Sequence, residues 1–148
     1  MAVAVVGSGP AGAAAAEGLV GRGVTVTLFD EQPRCGGNIS RVRTTAELTP
    51  LERLAQADGR LTLRTGTRVL STEAGGRVWF DAGTGAQAAD FEAVVLACGA
   101  YDVHDPIPGL PTPGVTSAGA LQALLKGQGV VPTGEVVIAG SGPFLMVV

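Results

Sequence analysis

A glycine-rich turn near the amino terminus constrains the fold of this chain more than any other feature. It reads Gly7-Ser8-Gly9-Pro10-Ala11-Gly12, and it joins the apolar run 2–6 to a helix predicted over 13–20. In this pattern the first glycine permits a tight turn, the second lets another group approach the backbone, and the third lets the helix pack close to the strand. The pattern therefore predicts a strand, a turn and a helix at the start of an α/β domain.

A second run rich in β-branched residues, 24–29, follows the predicted helix and ends at Asp30 and Glu31. An acid roughly 20 residues beyond the first glycine, at the end of the second strand, can accept hydrogen bonds from an adenosine ribose. We assign this role to Asp30, with Glu31 as the alternative. The phosphates of the same ligand would lie on the free amides at the start of the helix. The sequence therefore predicts a dinucleotide site, and a glycine-rich turn without a ligand is the alternative.

The middle of the chain contains further signals for helices and strands. Thr49-Pro50-Leu51-Glu52 matches a capping box and predicts a helix over 50–57. The apolar run 93–97 predicts a buried parallel strand. Between these segments, short β-rich runs separated by glycines predict an inserted antiparallel meander with strands at 61–64, 68–71 and 77–81.

The carboxy-terminal part of the chain carries almost no charge. From Pro106 onward only Lys126 and Glu135 are charged, which indicates that other protein surface covers this part. A helix is predicted over 118–126, begun by Ser117 or Thr116 and ended by Gly127. A buried strand is predicted over 135–139, before a second Gly-Ser-Gly-Pro turn at 140–143.

The order of these elements predicts two regions. Residues 1–110 form the amino-terminal part of a first dinucleotide-binding domain, and residues 111–148 form a linker helix with the first strand and turn of a second nucleotide-binding-like domain. Because the last turn is followed by too few residues to complete a helix, we expect the chain to be the amino-terminal piece of a longer protein.

Charge and cysteine content exclude several classes of protein. With 10 basic and 13 acidic side chains the net charge is −3, which leaves no positive surplus to neutralise nucleic-acid phosphates. Two cysteines are too few for a disulfide framework, and their spacing predicts no metal site. The apolar stretch 136–148 is shorter than the span of about 20 residues that crosses a bilayer, so no transmembrane segment is predicted. Without a signal-peptide pattern, we expect a cytoplasmic protein.

Taken together, the motifs resemble the flavoproteins with two dinucleotide-binding domains, the superfamily of glutathione, thioredoxin and ferredoxin reductases. The resemblance rests on the first glycine-rich turn, Asp30-Glu31, the Gly36-Gly37 pair, the segment 97–100 and the second turn. It implies a Rossmann-like fold that binds FAD. Cys98 departs from the threonine of that superfamily. The residues implied to contact the cofactor are Gly7, Ser8, Gly9, Pro10, Ala11, Gly12, Asp30, Glu31, Gly36, Gly37, Ala97 and Gly99.

A narrower resemblance is to the large subunits of opine oxidase, hydrogen cyanide synthase and hydroxyproline dehydrogenase. It is carried by the segments 29–41, 114–129 and 136–148. It implies an FAD-dependent oxidoreductase subunit that oxidises C–N bonds of an amino acid, an imino acid or an opine. The implied partners, in a hetero-oligomer, are an iron–sulfur protein and an amine-oxidising flavoprotein subunit. Leu145 stands where the second turn would need its third glycine, which argues against a nicotinamide cofactor there.

Two alternatives stay open. One is an NAD(P)H-dependent reductase of the thioredoxin-reductase type that lacks the redox disulfide, and the other is a non-catalytic nucleotide-binding fragment. No catalytic residue can be named. We interpret the remaining chemically interesting side chains as structural or solvated: buried or inert packing for Cys35, Cys98 and Trp79, and an ordinary loop or surface position for His104, Arg34, Arg41 and Arg43.

Overall fold

A computed structural model of the chain describes residues 1–40, 48–103 and 106–141. The chain divides into two compact units, Met1–Gly99 and Ala100–Val148, here the amino-terminal and carboxy-terminal units. The predicted domain boundary at residue 110 stays a prediction. In chain order the elements are β1 (Ala2–Val6), α1 (Pro10–Val20), β2 (Thr25–Phe29), α2 (Gly37–Ser40), α3 (Pro50–Ala57), β3 (Leu61–Arg64), β4 (Arg68–Thr72), β5 (Arg77–Asp81), β6 (Ala86–Asp90), β7 (Ala93–Leu96) and α4 (Ala118–Gln128).

The amino-terminal unit is built on a parallel sheet with the strand order β3-β2-β1-β7. Val5 of β1 lies opposite Leu28 of β2 on one side and Val95 of β7 on the other. The continuous apolar sequence of β1 fits this central position, because both faces of the strand are covered. The predicted α/β fold, with a Rossmann-like parallel sheet and an antiparallel meander, is confirmed.

Two layers cover the parallel sheet. On one face, Val5 and Leu28 pack with Ala16 of α1 and Leu51 of α3 in a buried apolar cluster. On the other face, a three-stranded antiparallel sheet of order β4-β5-β6 packs through its central strand. There the ring of Phe80 lies 5.1 Å from that of Phe29, centroid to centroid. The alternation of side chains along each strand sends successive residues to these two layers.

The meander differs from its prediction in two strands. Leu61–Arg64 does not belong to it, because β3 pairs parallel to β2 with Val26 opposite Leu61. The helix α3 supplies the crossover that a parallel connection requires, and Leu61 packs with the helix layer. The third strand of the meander is instead β6, which pairs antiparallel with β5. Its sequence, Ala-Gln-Ala-Ala-Asp, lacks the β-branched and aromatic residues by which strands are recognised.

The strand β7 pairs parallel to β1 as predicted, but the prediction that it is buried is wrong. Leu96 has 66% of its surface exposed, and Ala93 is exposed as well. The reason is that β7 is the edge strand of the described sheet. An apolar sequence shows only that a strand can be buried. Whether the strand is buried depends on the elements that lie beside it.

The capping box before α3 is confirmed in both halves. The backbone amide of Glu52 donates to the Thr49 hydroxyl oxygen at 3.2 Å, and the Thr49 amide donates to the Glu52 carboxylate at 2.7 Å. These reciprocal bonds satisfy two groups that a helix start would leave unpaired. They fix where α3 begins, before the chain turns toward β3.

The carboxy-terminal unit contains one helix in its described part. The Ser117 hydroxyl accepts from the Ala120 amide at 3.1 Å and begins α4 as predicted. The predicted end at Gly127 is wrong, because the left-handed residue that ends the helix is Gly129, with φ 67°. The predicted strand over 135–139 is not formed in the described structure, and Val137 is 85% exposed. A strand of a parallel sheet forms only beside a hydrogen-bonding neighbour.

Several predictions fall outside the described residues. They concern Arg41, Arg43, His104, Leu145 and the last part of the second glycine turn. Among the helices that are described, none is long and apolar enough to cross a membrane.

Candidate functional site

The carboxyl ends of β1, β2 and β7 meet at one edge of the parallel sheet, where a ligand crevice is expected in α/β folds. Gly7 follows β1 and donates its amide to the Phe29 carbonyl of β2 at 2.8 Å. On the other side, the Ala97 amide donates to the Val6 carbonyl at 2.8 Å. The parallel pairing thus brings together three of the segments implied by the sequence, namely the glycine-rich turn, the acid after β2 and the segment after β7.

The first and third glycines of the turn are required by the protein's own packing. Gly7 has φ 101°, and a Cβ placed on it would lie 2.3 Å from the carbonyl oxygen of Ala97. A Cβ on Gly12 would lie 1.8 Å from the carbonyl oxygen of Gly7. Neither position tolerates a side chain, because the obstructing atoms are backbone. These two glycines draw the turn close to β7 and the helix close to the turn.

The second glycine has room for a Cβ atom. A Cβ on Gly9 would meet Gly37 Cα at 4.0 Å and no closer atom, an ordinary contact distance. Gly9 is also the N-cap of α1, and no side chain caps this helix. The amides of Gly9, Ala11 and Gly12 have no hydrogen-bond partner in the described part of the chain. Unfilled space beside unpaired amides and a helix amino terminus suits an anionic group.

Asp30 is buried and is directed toward the turn. One of its carboxylate oxygens, Oδ2, accepts from the Ser8 amide at 2.7 Å and from the Ser8 hydroxyl. The other, Oδ1, accepts from the Gln32 amide at 2.8 Å. Glu31, the alternative acid, is exposed and pairs with Arg68, whose Nε lies 3.3 Å from its carboxylate. The carboxylate that is coupled to the glycine-rich turn is therefore that of Asp30.

The Gly36-Gly37 pair lies against the same turn. The Gly36 amide donates to both the carbonyl oxygen and the hydroxyl oxygen of Ser8, each at 3.1 Å. Gly37 has φ 56°, and a Cβ on it would lie 2.9 Å from Gly9 Cα. The sequence implied proximity of this pair to a cofactor, and the structure brings it into contact with the backbone at Gly9.

The two cysteines have opposite environments. Cys35, predicted to be an inert small side chain, is buried, and burial raises the pKa of its thiol to about 11, with a hydrogen bond to Ser8 opposing the rise. Its thiol is therefore protonated at neutral pH and a poor nucleophile. Cys98 was predicted to be buried packing, which is wrong: it is exposed, because it follows the end of the edge strand β7.

Of the other side chains singled out in the sequence, Trp79 is half-buried in β5 and donates its indole N–H to Glu73 at 2.7 Å. Arg34 is exposed. The role of Ser8 was missed by sequence reasoning, which included it only as a backbone member of the turn. Nothing in the glycine pattern indicates that its hydroxyl connects two segments distant in sequence.

Comparison with known proteins agrees with this architecture. The model of a family described as NAD(P)-binding Rossmann-like domain matches residues 5–82. The chain is 35% identical to hydrogen cyanide synthase subunit HcnB of Pseudomonas aeruginosa, over 97% of this chain and 34% of that protein. It is also 35% identical to an opine oxidase subunit of Agrobacterium tumefaciens, over 95% of this chain and 32% of that protein.

Among solved structures, L-proline dehydrogenase from P. horikoshii superposes with a TM-score of 0.69 at 24% identity, covering 88% of this chain and 29% of that one. This likeness concerns the fold. The chain spans about a third of the length of the curated relatives it matches. The 35% identity to each of these two proteins confirms the resemblance to the opine oxidase and hydrogen cyanide synthase subunits.

Proposed function

Because the chain belongs to the NAD(P)-binding Rossmann-like domain family, we propose that its glycine-rich turn binds a dinucleotide through the adenosine diphosphate half. The dinucleotide that we propose is FAD. The single observation that carries this proposal is the group of amides at the start of α1 that have no partner in the described chain, beside a glycine, Gly9, at which the backbone leaves room for another atom. A diphosphate there would accept hydrogen bonds from Gly9, Ala11 and Gly12 and would lie at the positive end of α1.

The remaining residues of the site have distinct proposed roles. Gly7 and Gly12 shape the turn, and Pro10 occupies the first helical position, where the N–H that it lacks would have no partner within the helix. Asp30 is the ribose acceptor, since its carboxylate lies beside the turn whereas that of Glu31 pairs with a surface arginine. Further contacts to the cofactor are proposed along the two neighbouring segments, from Gly36, Gly37, Ala97 and Gly99.

The choice of FAD is supported by the resemblance to flavoproteins and by relatives named hydrogen cyanide synthase and opine oxidase. When bound, the flavin supplies a two-electron acceptor for the substrate. The described residues provide binding and orientation for it. We propose that the whole protein is an FAD-dependent oxidoreductase subunit that oxidises C–N bonds of an amino acid, imino acid or opine.

The names of the relatives, which describe parts of larger enzymes, also support a hetero-oligomer. The proposed partners, to which electrons pass, are an iron–sulfur protein and an amine-oxidising flavoprotein subunit. The alternative activity is that of an NAD(P)H-dependent reductase, and the description of the matching family, which names NAD(P), favours it.

The cofactor proposal is tested by replacing Gly9 with alanine. Its backbone is extended, with φ −63°, and the added methyl meets no closer protein atom than Gly37 Cα, so the fold tolerates it. The methyl would occupy the space proposed for the diphosphate. We expect Gly9→Ala to weaken FAD and ADP binding at least tenfold in fluorescence and calorimetric titrations, with unchanged unfolding free energy. Gly59→Ala, in open surroundings, is the matched control. Unchanged ADP affinity in Gly9→Ala would contradict the proposal.

The reaction is tested on the full-length gene product, purified with any co-purifying subunits. We expect anaerobic bleaching of its flavin absorbance by an amino acid, an imino acid or an opine. Bleaching by NADPH alone would instead support the reductase, and a colourless protein that binds only ADP would support a non-catalytic nucleotide-binding module.

A further inference from the structure

Ser8 lies where three segments of the chain meet. It is 1% exposed and belongs to the turn after β1. Its partners are Asp30, which follows β2, and Cys35 and Gly36, which precede α2. The residue therefore links the proposed diphosphate site to two segments that are distant in sequence.

The hydrogen bonds of the Ser8 hydroxyl have a specific direction. A serine hydroxyl has one hydrogen to donate and two lone pairs to accept with. The hydrogen goes to Asp30 Oδ2, and the oxygen accepts from the Gly36 amide at 3.1 Å. Because the Ser8 amide donates to the same Oδ2 at 2.7 Å, the carboxylate holds this residue at two points. Such bonds to a buried charge are stronger than neutral ones.

Two-point attachment restricts the backbone at Ser8, and the next amide in the chain is that of Gly9. That amide is one of the unpaired groups proposed to bind the diphosphate. The hydrogen bond from the Gly36 amide restrains the same stretch of backbone from a second segment. The residue after Gly36 is Gly37, which lies against Gly9. The orientation of the phosphate-binding amides thus depends on the hydroxyl group of Ser8.

We propose that Ser8 is a positioning residue for the diphosphate and that Asp30 acts on that group through the Ser8 hydroxyl, in addition to any contact with the ribose. This inference rests on the proposed function. The inference assigns two effects to Asp30, one on the ribose and one on the diphosphate. A variant without the carboxylate would lose both at once. A carboxylate that acts only on the ribose would leave diphosphate binding independent of Ser8.

The test is a double-mutant cycle with Ser8→Ala, Asp30→Ala and the double variant, titrated with ADP and with adenosine by calorimetry. We expect Ser8→Ala to weaken ADP binding about tenfold while adenosine binding changes less than twofold. The double variant should bind ADP no more than about threefold weaker than Asp30→Ala alone, because both changes break the same connection between Ser8 and Asp30. Ser71→Ala, an exposed serine of β4, is the matched control.

A spectroscopic measurement separates positioning from loss of the fold. The phosphorus resonances of bound ADP should shift in Ser8→Ala and return toward their original positions in Ser8→Thr, which keeps the hydroxyl. Equal ADP affinity in Ser8→Ala and the unmodified chain, or strictly multiplicative losses in the double variant, would overturn the inference. Absence of ADP binding by the unmodified chain would instead overturn the proposed function itself.

Discussion

In two turns of the amino-terminal unit, an aspartate at the end of a strand accepts hydrogen bonds from backbone amides. Asp30 accepts from the Ser8 amide across the parallel sheet, whereas Asp81 accepts from Gly83 and Gly85, at 2.7 and 3.1 Å, within the hairpin that follows β5. The hairpin bonds are local and exposed, and added Cβ atoms on its glycines would meet nothing within 4 Å. A glycine-rich turn is thus a candidate site where other segments of the chain enclose it, and amino-acid composition alone does not distinguish such a turn from an open hairpin.

The largest expected difference concerns Gly12. Its replacement by alanine places a Cβ 1.8 Å from the Gly7 carbonyl oxygen, so α1 must move away from the turn. We expect Gly12→Ala to lower the free energy of unfolding by about 3 kcal/mol, measured by urea denaturation. In the hairpin, Gly83→Ala meets no atom but has a positive φ of 87°, and should lose only about 1 kcal/mol. Equal losses at the two positions would show that enclosure of the turn adds nothing to the cost of a side chain at Gly12.

The two aspartates give the next effect. Removing the Asp30 side chain leaves the buried Ser8 hydroxyl and amide without their acceptor, whereas the amides freed in Asp81→Ala can bind water. We expect Asp30→Ala to lose about 2 kcal/mol of unfolding free energy and Asp81→Ala less than about 1 kcal/mol. Thermal and urea unfolding of both variants measure this. A larger loss in Asp81→Ala would show that the hairpin is the more tightly coupled turn.

The smallest effect is a dependence of the unfolding free energy on pH, which is expected beside the glycine-rich turn after β1 and not in the hairpin after β5. Burial raises the pKa of Cys35 from 9.0 to about 11, so the unfolded chain releases this proton before the folded chain does. The stability that the neutral thiol contributes is complete below pH 9 and is lost as the pH rises toward 11. At pH 10 the loss should be about 1 kcal/mol, relative to Cys35→Ala at the same pH. Parallel stability curves for the two proteins between about pH 8 and 11 would contradict this.

Local signals predicted the local parts of the structure. The β1 strand, the helix after the glycine-rich turn and the capping box at Thr49 each depend on residues close in sequence, and the structure contains all three. The direction of β3 was not predictable from its own residues, since Leu61–Arg64 suits either a parallel or an antiparallel neighbour. Burial of β7 was overestimated for the same reason, because its own sequence does not specify how many strands lie beside it.

The candidate site was predictable in its glycines and its acid but not in its connections. The spacing of Gly7, Gly9 and Gly12 and the position of Asp30 follow from the requirements of a β–α–β unit. The hydroxyl of Ser8 could not be singled out, because its partners Asp30 and Gly36 approach it only in three dimensions.

The contact between Gly7 and Ala97 has a consequence for how the protein folds. The turn after β1 is synthesised before the strand that supports it, β7, because the whole meander lies between them in the chain. Closing so long a loop is slow, and folding rates fall as contacts become more distant along the chain. A nascent chain that ends before β7 would therefore expose a half-built turn, and the ability to take up a nucleotide should arise late, in one cooperative step with completion of the sheet.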